Sequence, residues 1–142
     1  MASRRVVEHT FMKTLIVAAG ILAVSSGHTL LAHHSFAAEF DASKAIRLNG
    51  TLAKVEWTNP HIYFYIDVKD EAGNVVRWTC ESGAPGALSR RGWKRGDLKL
   101  GDMIVVDGYR AKNGSNMVDA RRVTLADGRI VSGASAGDGG PQ

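Results

Sequence analysis

Alternation of apolar and polar residues is the strongest pattern in the chain. It is clearest in the segment HIYFYIDVK, residues 61–69, where every second residue is strongly apolar. A period of two residues predicts a strand that buries one face in a core. Four further segments between turn signals show a similar pattern. The five predicted strands span residues 46–57, 61–69, 75–81, 103–110 and 116–125, and residues 130–131 are predicted as a short edge strand.

The stretch between the third and fourth predicted strands breaks this alternation. Pro85 suits the first turn of a helix and Gly92 suits the position just after its end, so we predict a helix over residues 85–91. A helix between the third and fourth of five strands is the arrangement of the OB-fold. The predicted fold class is therefore all-β, a small five- to six-stranded OB-like barrel with one short helix between strands 3 and 4. A plain sandwich and an open meander are the alternatives.

The first 32 residues have the composition of a secretory signal peptide. Lys13 precedes the apolar run Leu15–Val24, and small residues follow that run. The run is shorter than the roughly 20 apolar residues that a membrane-spanning helix needs, although a retained membrane anchor is the alternative. We therefore predict a periplasmic or secreted protein, with no stable membrane insertion once the leader is removed.

Two cleavage sites fit the end of this leader. One follows Ala32 and leaves His33 as the first residue of the mature protein, and the other lies near residues 26–27. The choice matters for chemistry, because it decides whether a free α-amine stands beside the neighbouring histidines.

The rest of the chain divides by pattern into three parts. Residues 33–45 lack a clear period and are predicted to form an arm that Phe36 and Phe40 anchor to the body. Residues 46–131 are the predicted OB-like barrel domain. Residues 132–142 consist mainly of glycine and other small residues, so this tail is predicted to be disordered.

Composition narrows the classes of function. A chain of 142 residues allows one domain, and its single cysteine excludes an internal disulfide and any zinc site with several cysteines. Removal of residues 1–32 takes away three basic groups and one acidic group, so the formal net charge falls from +4 to +2. So small a net charge on an exported protein argues against a nucleic-acid partner.

Histidines supply the first candidate site. If cleavage follows Ala32, the α-amine and imidazole of His33 can chelate one metal ion, and His34 or His61 can add further nitrogen donors. Nitrogen-rich planar sites suit copper(II). The predicted metal ligands are therefore His33, His34 and His61, and copper is the one cofactor that the sequence suggests. The alternative is that these histidines cap the barrel through hydrogen bonds.

The face shared by the second and third strands supplies the second candidate site. Its side chains can stack against or hydrogen-bond a flat ligand, or they can simply cover the barrel. The predicted ligand-binding residues are Tyr63, Tyr65, Trp57, Arg77 and Glu81. A carboxylate pair here can serve acid–base chemistry. However, no spacing selects a pair and no nucleophile motif is present, so we predict that the protein is not an enzyme.

A basic cluster follows the predicted helix. Arg90, Arg91, Lys94 and Arg95 surround Trp93 in the sequence. These four cations are candidates for docking an anionic partner, which is either a periplasmic protein or a membrane surface. The alternative is a solvated helix whose basic residues complement the helix dipole.

Four segments give the chain a resemblance to a known family. They are HHSFAAEFD (33–41), VEWTNPHIYFYIDV (55–68), RRGWKRGDLKLGD (90–102) and GYRAKNGS (108–115). They resemble the motifs of a family of small exported bacterial proteins of unknown function, over residues 33–131. The chain departs from that pattern at Leu100, where the family has proline. The resemblance implies an exported small β-domain and implies no activity.

These observations favour an exported, periplasmic, non-enzymatic binding or accessory protein that binds copper or a similar metal through its N-terminal histidines. The alternative is an interaction module that binds a protein or a membrane through the tyrosine face or the basic helix.

Overall fold

The computed structural model describes residues 35–135 and 137–141. The predicted leader, its cleavage sites, His33 and His34 lie outside the described residues, so what the sequence says of them stays a prediction. No helix in the described part of the chain is long and apolar enough to cross a membrane.

The observed elements follow the predicted order closely. In chain order they are helix α1 (Phe36–Glu39), strands β1 (Phe40–Trp57), β2 (Ile62–Lys69) and β3 (Val75–Glu81), helix α2 (Pro85–Arg90), a 3₁₀ helix (Arg95–Asp97), and strands β4 (Met103–Ala111), β5 (Met117–Thr124) and β6 (Ile130–Ser132). Pro85 lies in the first turn of α2, where the N–H group that proline lacks has no partner within the helix.

The described strands form one sheet that closes on itself. Its order is β3-β2-β1-β4-β5-β6, and all neighbours in this order are antiparallel. A parallel pairing of β3 with β5 joins the first strand of the sheet back to the fifth. The result is a ring of five strands with α2 between β3 and β4, which confirms the predicted OB-like barrel.

The interior of the ring is one apolar core. Fully buried side chains of the strands include Leu52, Ile62, Phe64, Ile66, Ile104, Val106, Val118 and Val123. Helix α2 contributes Leu88, and Trp93 beyond it packs with its ring centroid 6.5 Å from that of Phe64. Burial of each large apolar side chain contributes about 1.5–3 kcal/mol, so this core is the main stabilising feature of the fold.

The arm is more regular than its sequence suggests. Strand β1 begins at Phe40 rather than at residue 46, and α1 precedes it directly. Residues 42–45 are exposed, which explains why no alternation marks the start of the strand. Phe36 and Phe40 stack 5.8 Å apart and form a small apolar cluster with Ala111 outside the barrel. Both phenylalanines are buried, so they are confirmed as the anchors of the arm.

The C-terminal segment, which we define as residues 133–135 and 137–141, has specific contacts with the body. This differs from the predicted disorder. Ser82 donates a hydrogen bond to the carbonyl oxygen of Gly133 at 2.7 Å. A Cβ atom on Gly133 would lie only 2.3 Å from the carbonyl oxygen of Ala120. Small residues, which made the tail look disordered, are therefore also what allows its backbone to approach the barrel this closely.

Candidate functional site

The structure brings two predicted site residues together at the end of strands β2 and β3. His61 immediately precedes β2, and Glu81 is the last residue of β3. Their side chains meet at 2.5 Å between Nδ1 of His61 and Oε1 of Glu81. Only 15% of the His61 side chain and 9% of the Glu81 side chain are exposed. The pair is therefore held in a largely desolvated position, where a hydrogen bond to a charged group is strong.

Burial and hydrogen bonding act on Glu81 in opposite directions. Burial raises the pKa of Glu81, and this outweighs the charge and hydrogen bond of His61, which lower it. When Glu81 is ionised, the Nδ1–H group of His61 donates to it. The second ring nitrogen, Nε2, then carries the lone pair that can bind a proton or a metal ion.

Tyr63 and Glu39 complete the surroundings of this pair. Tyr63 lies opposite Glu81 in the β2–β3 register, with its ring centroid 6.5 Å from that of His61. Burial, reinforced by the charge of Glu81, raises the pKa of Tyr63 to about 12, so its hydroxyl stays protonated at neutral pH. The charge of Glu39 acts on both Glu81 and Tyr63.

The described residues contain only part of the predicted metal site. Within residues 35–135 and 137–141, no three His, Cys, Asp or Glu side chains are grouped so that they could hold a metal ion. His33 and His34 lie outside these residues, although the chain joins them directly to Ser35 and so to the buried Phe36. The described residues therefore supply one of the predicted ligands, the His61 imidazole, and its hydrogen bond with Glu81 defines its orientation.

Tyr65 and Arg77, on the outer face of β2 and β3, are paired with neighbouring side chains. The Tyr65 hydroxyl donates to Glu56 at 3.0 Å, and the Lys54 ammonium lies 5.0 Å from the centroid of the Tyr65 ring. Arg77 makes two hydrogen bonds to Asp67, of 2.8 and 2.9 Å. Internal pairing therefore already occupies Tyr65 and Arg77, two of the residues predicted to hold a ligand.

Trp57 does not share the outer face with the two tyrosines. Its ring packs against the core, 6.2 Å from the ring centroid of Trp93. It lines an open groove of about 680 Å³ together with Val55, Leu98 and Arg95. Arg95 donates a hydrogen bond to the carbonyl oxygen of Trp57 at 3.0 Å, so this cation is held at the rim of the groove.

The basic cluster divides into two pairs with different roles. Arg91 donates a hydrogen bond to the carbonyl oxygen of Ala134 at 2.7 Å, and Arg95 makes the bond described above. These two cations therefore hold backbone segments of the protein itself. All four residues are exposed, so Arg90 and Lys94, which make no such backbone contact among those described, carry what remains of the docking hypothesis.

Sequence reasoning missed a buried ionic cluster on the outer side of β5. Arg121 forms ion pairs with Asp119 and, at 3.0 Å, with Asp138 of the C-terminal segment. Burial raises the pKa of Asp119 to about 6, although the charge of Arg121 opposes this rise. The one sequence signal for their burial was the acidic residue within the glycine-rich tail.

Comparison with known families shows to which family the chain belongs. Residues 21–119 match the model of DUF6152, a family of unknown function, and since this is more than half of the chain, the protein belongs to that family. No curated protein matches the chain.

Proposed function

We propose that this member of DUF6152 is an exported, non-enzymatic accessory protein of the periplasm that binds copper(II), or a metal of similar preference, through His33, His34 and His61. The observation that carries the proposal is the buried hydrogen bond between His61 and Glu81. Most metal-bound histidines donate their other ring N–H to a carboxylate, carbonyl or water, which fixes the tautomer and makes the ligating nitrogen more basic. Glu81 suits that role toward Nε2 of His61.

The other donors would come from the N-terminal arm. Cleavage after Ala32 would leave the α-amine and imidazole of His33 on one residue, with a second imidazole on His34. Nitrogen donors of this kind favour copper(II), which stands at the top of the divalent affinity order. In the sequence, His34 directly precedes Ser35, the residue before helix α1.

Titration of the mature protein, starting at His33, tests the proposal. We expect the protein to take up one equivalent of copper(II) at neutral pH. Calorimetry and the visible absorption band of the bound ion measure this uptake. Affinity should fall below about pH 6.5, because protonated imidazole cannot bind a metal. A protein that takes up no copper under these conditions would contradict the proposal.

Matched variants locate the ligands. His61→Gln should weaken binding by at least about tenfold, and Glu81→Gln by about tenfold, because the orienting carboxylate is lost. Asp67→Asn is the control, since it removes a carboxylate from the same face without touching His61. A form with one additional alanine before His33 removes the α-amine from the chelate and should also bind more weakly. Unchanged affinity in His61→Gln would exclude this residue as a ligand.

Docking of an anionic partner surface is the second candidate function. All four cations of the cluster are exposed, but Arg91 and Arg95 hold backbone carbonyl groups, so Arg90 and Lys94 carry this candidate. The double variant Arg90→Glu with Lys94→Glu should abolish capture of a periplasmic partner and leave copper uptake unchanged. Equal capture by this variant and the wild type would remove the candidate.

A further inference from the structure

We infer that the open groove beside Trp57 binds an acidic segment of a partner protein, and that one apolar side chain of that segment enters the groove. The inference rests on the docking candidate and deepens it, because it adds an apolar contact to the charged one and names the chemistry of the partner. Six residues of the described chain line the groove: Val55, Glu56, Trp57, Thr58, Arg95 and Leu98.

The floor of the groove is apolar, and the core holds it in position. Trp57 is half-buried, and its ring centroid lies 6.2 Å from that of the buried Trp93. Val55 is also half-buried, and Leu98 is buried in the same core. An apolar side chain that enters the groove therefore meets one aromatic ring and two aliphatic side chains. Contacts of this kind supply most of the affinity of protein interfaces.

Arg95 places a cation at the rim of the groove. Its Nη2 donates to the carbonyl oxygen of Trp57 at 3.0 Å, which fixes the guanidinium group beside the apolar floor. Among residues 35–135 and 137–141, no carboxylate forms an ion pair with Arg95. The hydrogen bond to Trp57 leaves Nε and Nη1 for an incoming carboxylate, which a guanidinium group binds through two parallel hydrogen bonds.

The backbone around Arg95 is also fixed. Arg95 begins the 3₁₀ helix, and Asp97 ends it. The Asp97 carboxylate accepts hydrogen bonds from the backbone N–H of Lys94 at 2.8 Å and from Arg129 at 2.6 Å. The charge of Asp97 is therefore already paired, and the turn that presents Arg95 is tied to the body of the protein. A preformed site of this kind loses little entropy when a partner binds.

The charge around the groove favours an acidic partner. Glu56 is the one carboxylate in the lining, and it accepts hydrogen bonds from Lys54 at 2.5 Å and from Tyr65 at 3.0 Å. Its charge is therefore countered. Residues 90–95, by contrast, carry four exposed cations. Positive charge predominates on this surface, and complementary charge on a partner would steer it toward the groove.

The shape of the groove favours a segment of a protein over a small molecule. The groove measures about 680 Å³ and is open to solvent rather than enclosed. Sites for small molecules bury most of the ligand surface, whereas protein interfaces combine an apolar centre with a polar rim. A segment with one apolar side chain between carboxylates matches both the floor of the groove and its rim.

Two fluorescein-labelled peptides test the inference on the full mature chain. The first has the sequence Asp-Glu-Phe-Asp-Glu, and the second has alanine in place of phenylalanine. We expect the phenylalanine peptide to bind about tenfold more tightly in fluorescence anisotropy, because only its side chain fills the groove. In NMR spectra it should shift the indole N–H signal of Trp57 and leave that of Trp78, which is buried in the core, unchanged.

A charge reversal at the rim provides the matched pair of variants. Arg95→Glu should weaken binding of the phenylalanine peptide by about tenfold, because a carboxylate replaces the cation that receives the peptide. Arg122→Glu is the control, since it makes the same change at an exposed arginine that does not line this groove. It should alter the affinity by no more than about twofold, because exposed charges at a distance are screened.

The outcomes separate this inference from the proposed functions. Equal binding of the two peptides overturns the groove as a binding site, and so does binding of neither peptide. Equal losses of affinity in Arg95→Glu and Arg122→Glu also overturn it. If both peptides bind equally and both are lost in the double variant Arg90→Glu with Lys94→Glu, the docking candidate stands without the groove. Copper titration of the wild type tests the metal proposal independently of either peptide.

Discussion

The two sides of the barrel wall at the β3–β5 junction differ in what keeps water out. On the inner side, Cys80 and Val118 face each other in the register and are fully buried among apolar side chains. On the outer side, the next pair is Glu81 and Asp119, and these carboxylates are nearly as buried. Burial raises the pKa of Cys80, Glu81 and Asp119 alike.

This difference shows which parts of the fold bury the ionisable groups and so shift their pKa values. Strand closure alone buries the inner pair. On the outer side, residues from outside the ring act on the pair: the charge of Glu39 in α1 acts on Glu81, and Asp138 of the C-terminal segment contacts Arg121, the partner of Asp119. Buried carboxylates need a polar or charged partner: His61 forms a hydrogen bond with Glu81, and Arg121 supplies a counter-charge to Asp119. The outer side is therefore where a change of pH or of segment position alters chemistry.

The largest expected effect on stability comes from a substitution in the apolar core, on the inner side of the wall. Phe64 is fully buried and packs against Trp93. Phe64→Ala should lower the free energy of unfolding by about 3–5 kcal/mol, because it removes apolar contacts and leaves a cavity that the closed ring cannot fill. Urea denaturation followed by tryptophan fluorescence measures this change.

A substitution on the same sheet provides the control. Val75 is an apolar residue that is largely exposed, so Val75→Ala should change stability by no more than about 0.5 kcal/mol. If Phe64→Ala cost less than about 1 kcal/mol, the interior of the ring would not be the dominant core.

The second-largest expected effect is on the pH dependence of stability, and it comes from a carboxylate on the outer side of the wall. The pKa of Asp119 is raised from 3.8 to about 6. Between these values the folded protein holds a proton that the unfolded chain has released, so stability falls as the pH rises through this window. The loss of stability across this window is about 3 kcal/mol. Asp119→Asn should remove it, which unfolding experiments between pH 4 and 7.5 would detect as a flatter profile.

Asp67 provides a control of opposite sign on the same wall. Its hydrogen bonds from Arg77 lower the pKa of Asp67, so its contribution to stability is present above the ordinary pKa and is lost as the pH falls through the folded value. Asp67→Asn should therefore alter the profile only at the acidic end. Parallel profiles for the wild type and Asp119→Asn would show that Asp119 is not the group that titrates.

The barrel could be predicted because alternation reports directly which side of a strand is buried. Strand β3 has the predicted bounds, Val75–Glu81, and the helix placed by Pro85 and Gly92 ends within one residue of its prediction. The pattern fails at the start of β1, where residues 42–45 are exposed on both faces and no period exists to be detected.

The candidate site could be predicted only in part, because alternation cannot tell an exposed outer face from a covered one. His61 and Glu81 were both singled out, but for separate sites, since their contact depends on the register of the β2–β3 hairpin. The pairing of Arg121 with Asp138 was missed for a different reason. Glycine-rich composition is typical of disordered tails, and it also suits a segment that must pack closely against a guanidinium group.

The smallest expected effect lies on the exposed part of the outer face. Arg77 and Asp67 are well hydrated, so Arg77→Gln should lower the midpoint of thermal unfolding by about 2 °C or less. High salt should remove even this difference, because exposed charges are screened. Arg121→Gln makes the same substitution on the covered side, where its effect should be several times larger and insensitive to salt. Equal effects of the two substitutions would mean that coverage by the terminal segments is not what separates the two parts of the outer face.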